Sequence, residues 1–320
     1  MNSIYQATTK IKQEVGTVIV GQEETLELLL VGLFSGGHVL LEDVPGVGKT
    51  VLAKALSAAV GAAFTRIQCT PDLLPTDVVG TTVFNQKTGD FEFREGPLFS
   101  QLVLADEINR AIPRTQAAML EAMAEGQITV DGASRRLQRP FFVVATQNPI
   151  ESHGTFPLPE AQLDRFLMKI SLGYPTQEEE RTIFRRSREK VTTEQVTSVV
   201  TPEVVIAAQD ETCRIHLAED VERYLLDIVR RTREYQGVVI GVSPRGLIAL
   251  GAAAQVLAGL RGRDYVTPDD IKYLAPKVLA HRLVLDPSLR MKQKTAQDVL
   301  AEILAQAEVP LEDDAVANGR

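Results

Sequence analysis

The chain has 320 residues, enough for two domains, and with 44% hydrophobic and 24% charged residues its composition is that of an ordinary globular protein. A formal net charge of −8 excludes a protein that coats nucleic acid through its bulk field. Cys69 and Cys213 fit no metal spacing, and His38, His153, His216 and His281 form no ligand cluster, so reduced structural thiols and no zinc-type centre are expected. Met1 to Gly16 has no apolar targeting core, and the longest apolar runs, Leu28 to Phe34 and Ile248 to Ala254, are too short to span a bilayer. The expected location is the cytoplasm.

Taken in order, Ser3 to Val15 has helical spacing, and a second helix carries Leu26, Leu29, Leu30 and Leu33 on one face before Gly36-Gly37 ends it. His38 to Leu41 is a short apolar run of buried-strand type. A glycine-rich loop follows, then a helix from Lys49 to Val60 and a strand from Ala63 to Gln68. This strand–loop–helix–strand order begins a parallel α/β sheet. Thr81 to Phe84 and Phe91 to Arg94 read as a hairpin. Leu102 to Ala105 is a third buried strand, Arg114 to Glu125 a helix, and Gln127 to Val130 with Arg135 to Gln138 a second hairpin about a turn at Asp131 to Ser134. Phe141 to Thr146 and Phe166 to Leu172 complete the sheet. After Tyr174-Pro175 no strand-like segment follows. Thr176 with Glu179 forms a capping box, and Thr201-Pro202, Ser243-Pro244 and Thr267-Pro268 each set a cap residue before a proline at the first helical position. The expected domains are an α/β unit over 1–175, an all-helical unit over 176–305 and a frayed acidic tail over 306–320.

The chemistry concentrates in Glu42-Asp43-Val44-Pro45-Gly46-Val47-Gly48-Lys49-Thr50, with Val51 opening the helix beyond it. Strand, glycine loop, Lys-Thr and helix in that order make a phosphate-binding loop. Gly46 and Gly48 let backbone N–H groups approach phosphate oxygens, and the helix start adds unpaired amides and a positive dipole end. Lys49 is expected on the β/γ-phosphates and the Thr50 hydroxyl on Mg²⁺. The usual pattern places a glycine where this chain has Asp43, a carboxylate that must point away from phosphate or hydrogen-bond the loop. Leu102 to Ala105 delivers Asp106 and Glu107 to the carboxyl edge of the sheet, where ligands of open α/β sheets bind. Asp106 can hold Mg²⁺ with Thr50, largely through water, leaving Glu107 to orient or deprotonate an attacking water. Asn148, just after another buried strand, has an amide suited to that water or to the γ-phosphate.

These residues resemble AAA+ ATPases, and within them the MoxR family, which is related to magnesium chelatase ATPase subunits. The resemblance runs in order through Val20-Gly21-Gln22, Glu42 to Thr50, Leu104 to Ala111, Ala145 to Pro149, Leu158 to Phe166 and Val242 to Gly246, covering about residues 15 to 305. The hairpin at Thr88-Gly89 is similar to the family's insertion in helix 2, and that at Asp131-Gly132 to its hairpin before sensor 1. The resemblance implies a P-loop NTPase sheet flanked by helices with a helical lid. It implies Asn148 as sensor 1, Arg165 as an arginine finger acting on a neighbouring subunit's nucleotide, Arg245 as sensor 2, and Gln22 beside the adenine. Arg110 and Arg114 are further candidates for the subunit interface. The implied cofactors are ATP and Mg²⁺, and the implied assembly is a homo-oligomeric ring, usually a hexamer.

The same resemblance implies a chaperone, assembly or metal-insertion role with partners carrying a von Willebrand factor A domain. Two alternatives stay open. One is a nucleic-acid motor, with Arg135, Arg136 and Arg139 near the second hairpin as phosphate contacts. The other is a scaffold gated by ATP without hydrolysis, against which the presence of both Glu107 and Arg165 argues.

Overall fold

The computed structural model describes residues 3–42, 46–149 and 154–310. The chain divides into two compact units, Met1–Thr212 and Cys213–Arg320. Asp43, Val44 and Pro45 of the phosphate loop, and 311–320 of the expected tail, lie outside the described residues.

The first unit is built on a five-stranded sheet in the order Phe64–Gln68, Leu102–Asp106, Phe142–Gln147, Val39–Glu42, Met168–Ile170. Every pairing is parallel. The inner strands read as continuous apolar runs because both faces are covered, and Val39, Leu40, Leu102 to Ala105 and Phe142 to Ala145 are all buried. Parity decides which face each residue serves. Leu40, Val103, Ala105, Val143 and Ala145 share a core with Met119, Leu120 and Met123 of helix Pro113–Glu125. Val39 and Phe142 turn the other way, toward helix Glu23–Phe34. A Cβ on Gly32 of that helix would lie 2.6 Å from Val39 and 3.2 Å from Phe142. The edge strand Phe64–Gln68 instead alternates, with Ile67 buried while Arg66 and Gln68 share the exposed face.

His38 locks this arrangement. Val143 N donates to its Nδ1 at 3.0 Å, so Nε2 carries the proton and donates to Met123 O at 3.0 Å. The ring joins the central strand, its neighbour and the end of helix Pro113–Glu125.

Two antiparallel hairpins leave the sheet. Gly80–Asn85 pairs with Asp90–Glu95, setting Phe84 opposite Phe91 with ring centroids 5.3 Å apart. Gln127–Val130 pairs with Ala133–Arg136. The second turn is tighter than its sequence indicated. Asp131 and Gly132 both have positive φ, 52° and 75°, so two residues complete the reversal and pairing resumes at Ala133. The hairpins touch one another: Thr82 Oγ1 donates to Asp131 at 2.6 Å, and the Arg135 guanidinium lies 3.9 Å over the Phe93 ring. A short helix, Pro75–Val79, was not expected; the Asp77 carboxylate starts it by accepting Leu74 N at 2.9 Å.

The expected change of character at residue 176 and the division of the units at 212/213 differ. Helix Gln177–Arg188 opens on the Thr176–Glu179 capping box, and helix Pro202–Glu211 follows the Thr201 cap. The latter is held to the first unit by Gln209, whose Nε2 donates to Leu33 O at 2.7 Å, and by Arg139, which binds Asp210. Packing thus keeps these helices with the sheet unit.

The second unit is built on helices Glu219–Glu234, Pro244–Leu260, Pro268–Leu279 and Ala296–Gln306, but, against the expectation of no strand after Tyr174, it also carries a short antiparallel ribbon of Val238–Ile240 and Val284–Leu285. Asp270 is buried at its centre. Its carboxylate caps Thr267 N at 2.9 Å and takes two bonds from Arg263 at 2.8 and 2.6 Å. Among the described residues, no helix is long and apolar enough to cross a membrane.

Burial holds His38 at about 4, below its usual value near 6.5. The unfolded chain therefore takes up the proton first, and this contribution to stability is full above pH 6.5 and lost as pH falls toward 4. Urea unfolding between those values should show stability falling by up to about 1.4 kcal/mol per pH unit from this site. The fall should be shallower in His38→Gln, and an unchanged slope would contradict the assignment.

Candidate functional site

The parallel order places the ends of Val39–Glu42, Leu102–Asp106 and Phe142–Gln147 side by side, beneath the helix Lys49–Ala59. A cleft of about 370 Å³ opens there. Gly46, Gly48, Lys49, Thr50 and Val51 form one wall, and Asp106, Glu107 and Asn148 another. Two residues not singled out from the sequence, Arg66 and Gln68, line it as well. Their alternation with Ile67 was the only signal in the sequence; the Gln68–Asp106 pairing that brings them to the acids appears only in the fold.

Gly46 and Gly48 each have φ of +92°, while a Cβ at either would meet nothing within 4 Å. Glycine is thus required by backbone conformation and not by crowding. Gly48 is also the N-cap of the helix, and as a glycine it supplies no side-chain cap. An anion at this point meets helix-start amides and the positive end of the helix.

The acids are held by the neighbouring strand. Thr146 Oγ1 donates to Asp106 Oδ1 at 2.6 Å and accepts the Glu107 amide at 2.8 Å. Glu107 itself has φ of 57°, the left-handed region. That geometry costs about 1–2 kcal/mol, and the amide bond to buried Thr146 helps offset it. Asp106 Oδ2 and Glu107 Oε2 face cations and an amide. Asp106 Oδ2 takes Arg66 Nη2 at 2.6 Å and Nε at 3.1 Å. Glu107 Oε2 takes Gln68 Nε2 at 3.1 Å and Arg110 Nη1 at 3.1 Å. Arg66 Nη2 also reaches Gln68 Oε1 at 2.5 Å, so the edge strand links both acids.

The field of the acids is felt behind the cleft. Burial first, then the charges of Asp106 and Glu107, push the Cys69 thiol up to about 12. Cys69 is an inert structural thiol, as its sequence context implied.

The donors suit a hard divalent cation: the Thr50 hydroxyl and the Asp106 carboxylate line one cleft. No cluster of three or more His, Cys, Asp or Glu side chains able to hold a metal occurs among the described residues.

Other candidate residues lie elsewhere. Gln22 is buried and accepts Thr25 Oγ1 at 2.9 Å, and neither it nor Val47 is among the cleft-lining residues. Arg165 lines a separate depression with Leu120, Glu121, Glu125, Gln127 and Gln162, and donates to Leu120 O at 2.9 Å. Arg245, in the second unit, is exposed in the first turn of helix Pro244–Leu260, whose Ser243 cap accepts Gly246 N at 3.4 Å. Arg114 is exposed at the start of helix Pro113–Glu125, and Asp43 and Pro45 fall outside the described residues.

Comparison with known proteins gives a consistent picture. Residues 38–168 match the model of the ATPase family associated with various cellular activities (AAA), and residues 230–303 match the AAA lid domain. The chain is 48% identical to the uncharacterized protein YeaC of Bacillus subtilis, over 96% of each chain. It is 42% identical to chaperone MoxR1 of Mycobacterium tuberculosis, over 93% of this chain and 81% of that one. A crystal structure of a candidate ATPase from Cytophaga hutchinsonii superimposes with a TM-score of 0.90 at 38% identity, covering 96% of both chains.

Thr146→Val keeps the shape of the side chain but removes the hydroxyl that serves both acids. It should cost about 1–3 kcal/mol in denaturant unfolding, through an orphaned Glu107 amide, while Thr146→Ser stays near wild type. A valine variant as stable as wild type would contradict the bridging role.

Proposed function

The chain belongs to the MoxR family of AAA ATPases, and on that footing we propose that it hydrolyses ATP to ADP and phosphate in the Lys49 cleft, as one subunit of a ring. The observation that carries the reading is the meeting of a glycine loop, Lys49 and Thr50 with Asp106, Glu107 and Asn148 in one cleft at the carboxyl edge of a parallel sheet.

Lys49 and the amides at the helix start hold the phosphates, and Thr50 and Asp106 hold Mg²⁺, largely through its water shell. When bound, Mg²⁺ neutralises charge that builds on the phosphoryl oxygens. Glu107 orients the attacking water and takes its proton; its αL backbone and the bonds from Gln68 and Arg110 fix where the carboxylate starts. Asn148 adds a neutral amide beside the same water or the γ-phosphate. Val51, 45% exposed at the cleft wall, gives apolar contact to the nucleotide.

Arg165 acts on the nucleotide of the adjacent subunit. Its separation from the cleft of its own chain supports this, since it lines a different depression. Such a finger is worth about 10³–10⁵ in rate. Arg245 senses the γ-phosphate from the lid. We assign Gln22 and the backbone near it to the adenine. The ring is taken as hexameric, and its work as the assembly or metal loading of protein clients, alongside a partner with a von Willebrand factor A domain. The name chaperone carried by the Mycobacterium tuberculosis relative supports that class of work.

The nucleic-acid motor fares less well against the arginines near the second hairpin. Arg135 stacks over Phe93 and bonds Val130 O, and Arg139 is paired with Asp210 and Gln209. Two of the three guanidinium groups are thus engaged within the first unit, on a chain of net charge −8.

Glu107→Gln should bind ATP with near-normal affinity and turn over about 10²–10⁴-fold more slowly; near-normal turnover would remove Glu107 from the role. Arg165→Ala and Lys49→Ala subunits should each be inactive alone and recover activity when co-assembled. Absence of recovery in verified mixed rings would sink the trans assignment.

A further inference from the structure

Arg66 stands where a cation belongs. Both its Nε and its Nη2 fall on a single oxygen, Asp106 Oδ2, at 3.1 and 2.6 Å. They do not fork across the carboxylate, because the other oxygen is already taken by Thr146 Oγ1 at 2.6 Å. The orientation of Asp106 therefore does not depend on Arg66. The Oδ2 lone pairs are what a divalent ion would use, and the guanidinium covers them. The Arg66 side chain is 47% exposed and that of Asp106 13%, so water screens the pair and removing the arginine leaves no buried cavity. A doubly charged ion competes well for that oxygen against a screened single charge.

We propose that Arg66 is a displaceable counter-ion: it covers Asp106 Oδ2 while no divalent cation is held and leaves it when a metal–nucleotide complex binds. This deepens the ATPase reading and rests on it. The strand geometry permits the exchange. Arg66 lies two residues before Gln68 on the exposed face of an edge strand, and its Nη2 is shared between Asp106 Oδ2 at 2.6 Å and Gln68 Oε1 at 2.5 Å. The guanidinium can stay beside the cleft after release. Arg66 sets the metal threshold of the site through Asp106 Oδ2, and it takes no proton and touches no reacting bond.

The test is Mn²⁺ binding to the full chain, read by electron paramagnetic resonance with and without ADP, beside fluorescent ADP binding in EDTA. Arg66→Gln should tighten Mn²⁺ by about three- to tenfold while ADP affinity in EDTA stays within about twofold. Arg66→Lys, which keeps the charge but loses the two-point contact, should fall between. Adding Asp106→Asn to Arg66→Gln should abolish the gain, which locates it at that carboxylate. Thermal unfolding establishes that the variants are folded. Unchanged or weaker Mn²⁺ binding in folded Arg66→Gln overturns the proposal, as does a gain that survives Asp106→Asn. If wild type binds no ADP, the nucleotide reading fails by itself, and the Mn²⁺ titration without ADP still decides between Arg66 and the metal at Asp106.

Discussion

Thr146 Oγ1 accepts the Glu107 amide and donates to Asp106 Oδ1, tying the two acids of the cleft to the strand beside them. Leu102 pairs with Phe142 and Ala105 with Ala145, and the same offset brings Asp106 level with Thr146. Parallel pairing thus does more than form a core. It brings the carboxyl ends of three strands to one edge, where each delivers a different function: a phosphate loop, an acid pair and an amide. If the register between Leu102–Asp106 and Phe142–Gln147 slipped by one residue, every side chain would change face and the hydroxyl would leave both acids.

Around that knot the charges are arranged in layers. Asp106 Oδ2 is met by Arg66, and Glu107 Oε2 by Gln68 and Arg110. Deeper in, Cys69 is kept as a thiol by burial and by the same negative field. The basic wall is Lys49 with the helix start at Gly48. A triphosphate with its cation has the charge pattern to satisfy both walls, which a neutral ligand has not.

Much of this was legible in the sequence because each signal was local. The Gly-Lys-Thr loop sits between an apolar run and a helix-former run, and both central strands end in their acid or amide. The cap-proline pairs at Thr201, Ser243 and Thr267 mark helix starts that the structure has at Pro202, Pro244 and Pro268. What escaped depends on contacts distant in sequence. Arg66 and Gln68 gain meaning only when their strand is laid against Asp106, forty or so positions on. Helix Pro202–Glu211 is bound to the sheet unit by Gln209 reaching Leu33, which no local pattern announces. The turn at Asp131-Gly132 is shorter than its sequence suggests, because Ala133 and Ser134 look turn-like in isolation yet pair with Val130 and Thr129.

The ring, the lid and the clients all presuppose a nucleotide held in one chain's cleft by the loop lysine. Calorimetric titration of ATP with Mg²⁺ into wild type and Lys49→Ala addresses that directly. Saturable binding by wild type that disappears in a folded Lys49→Ala protein is the predicted result. Equal affinity in the two proteins would contradict the account at its base.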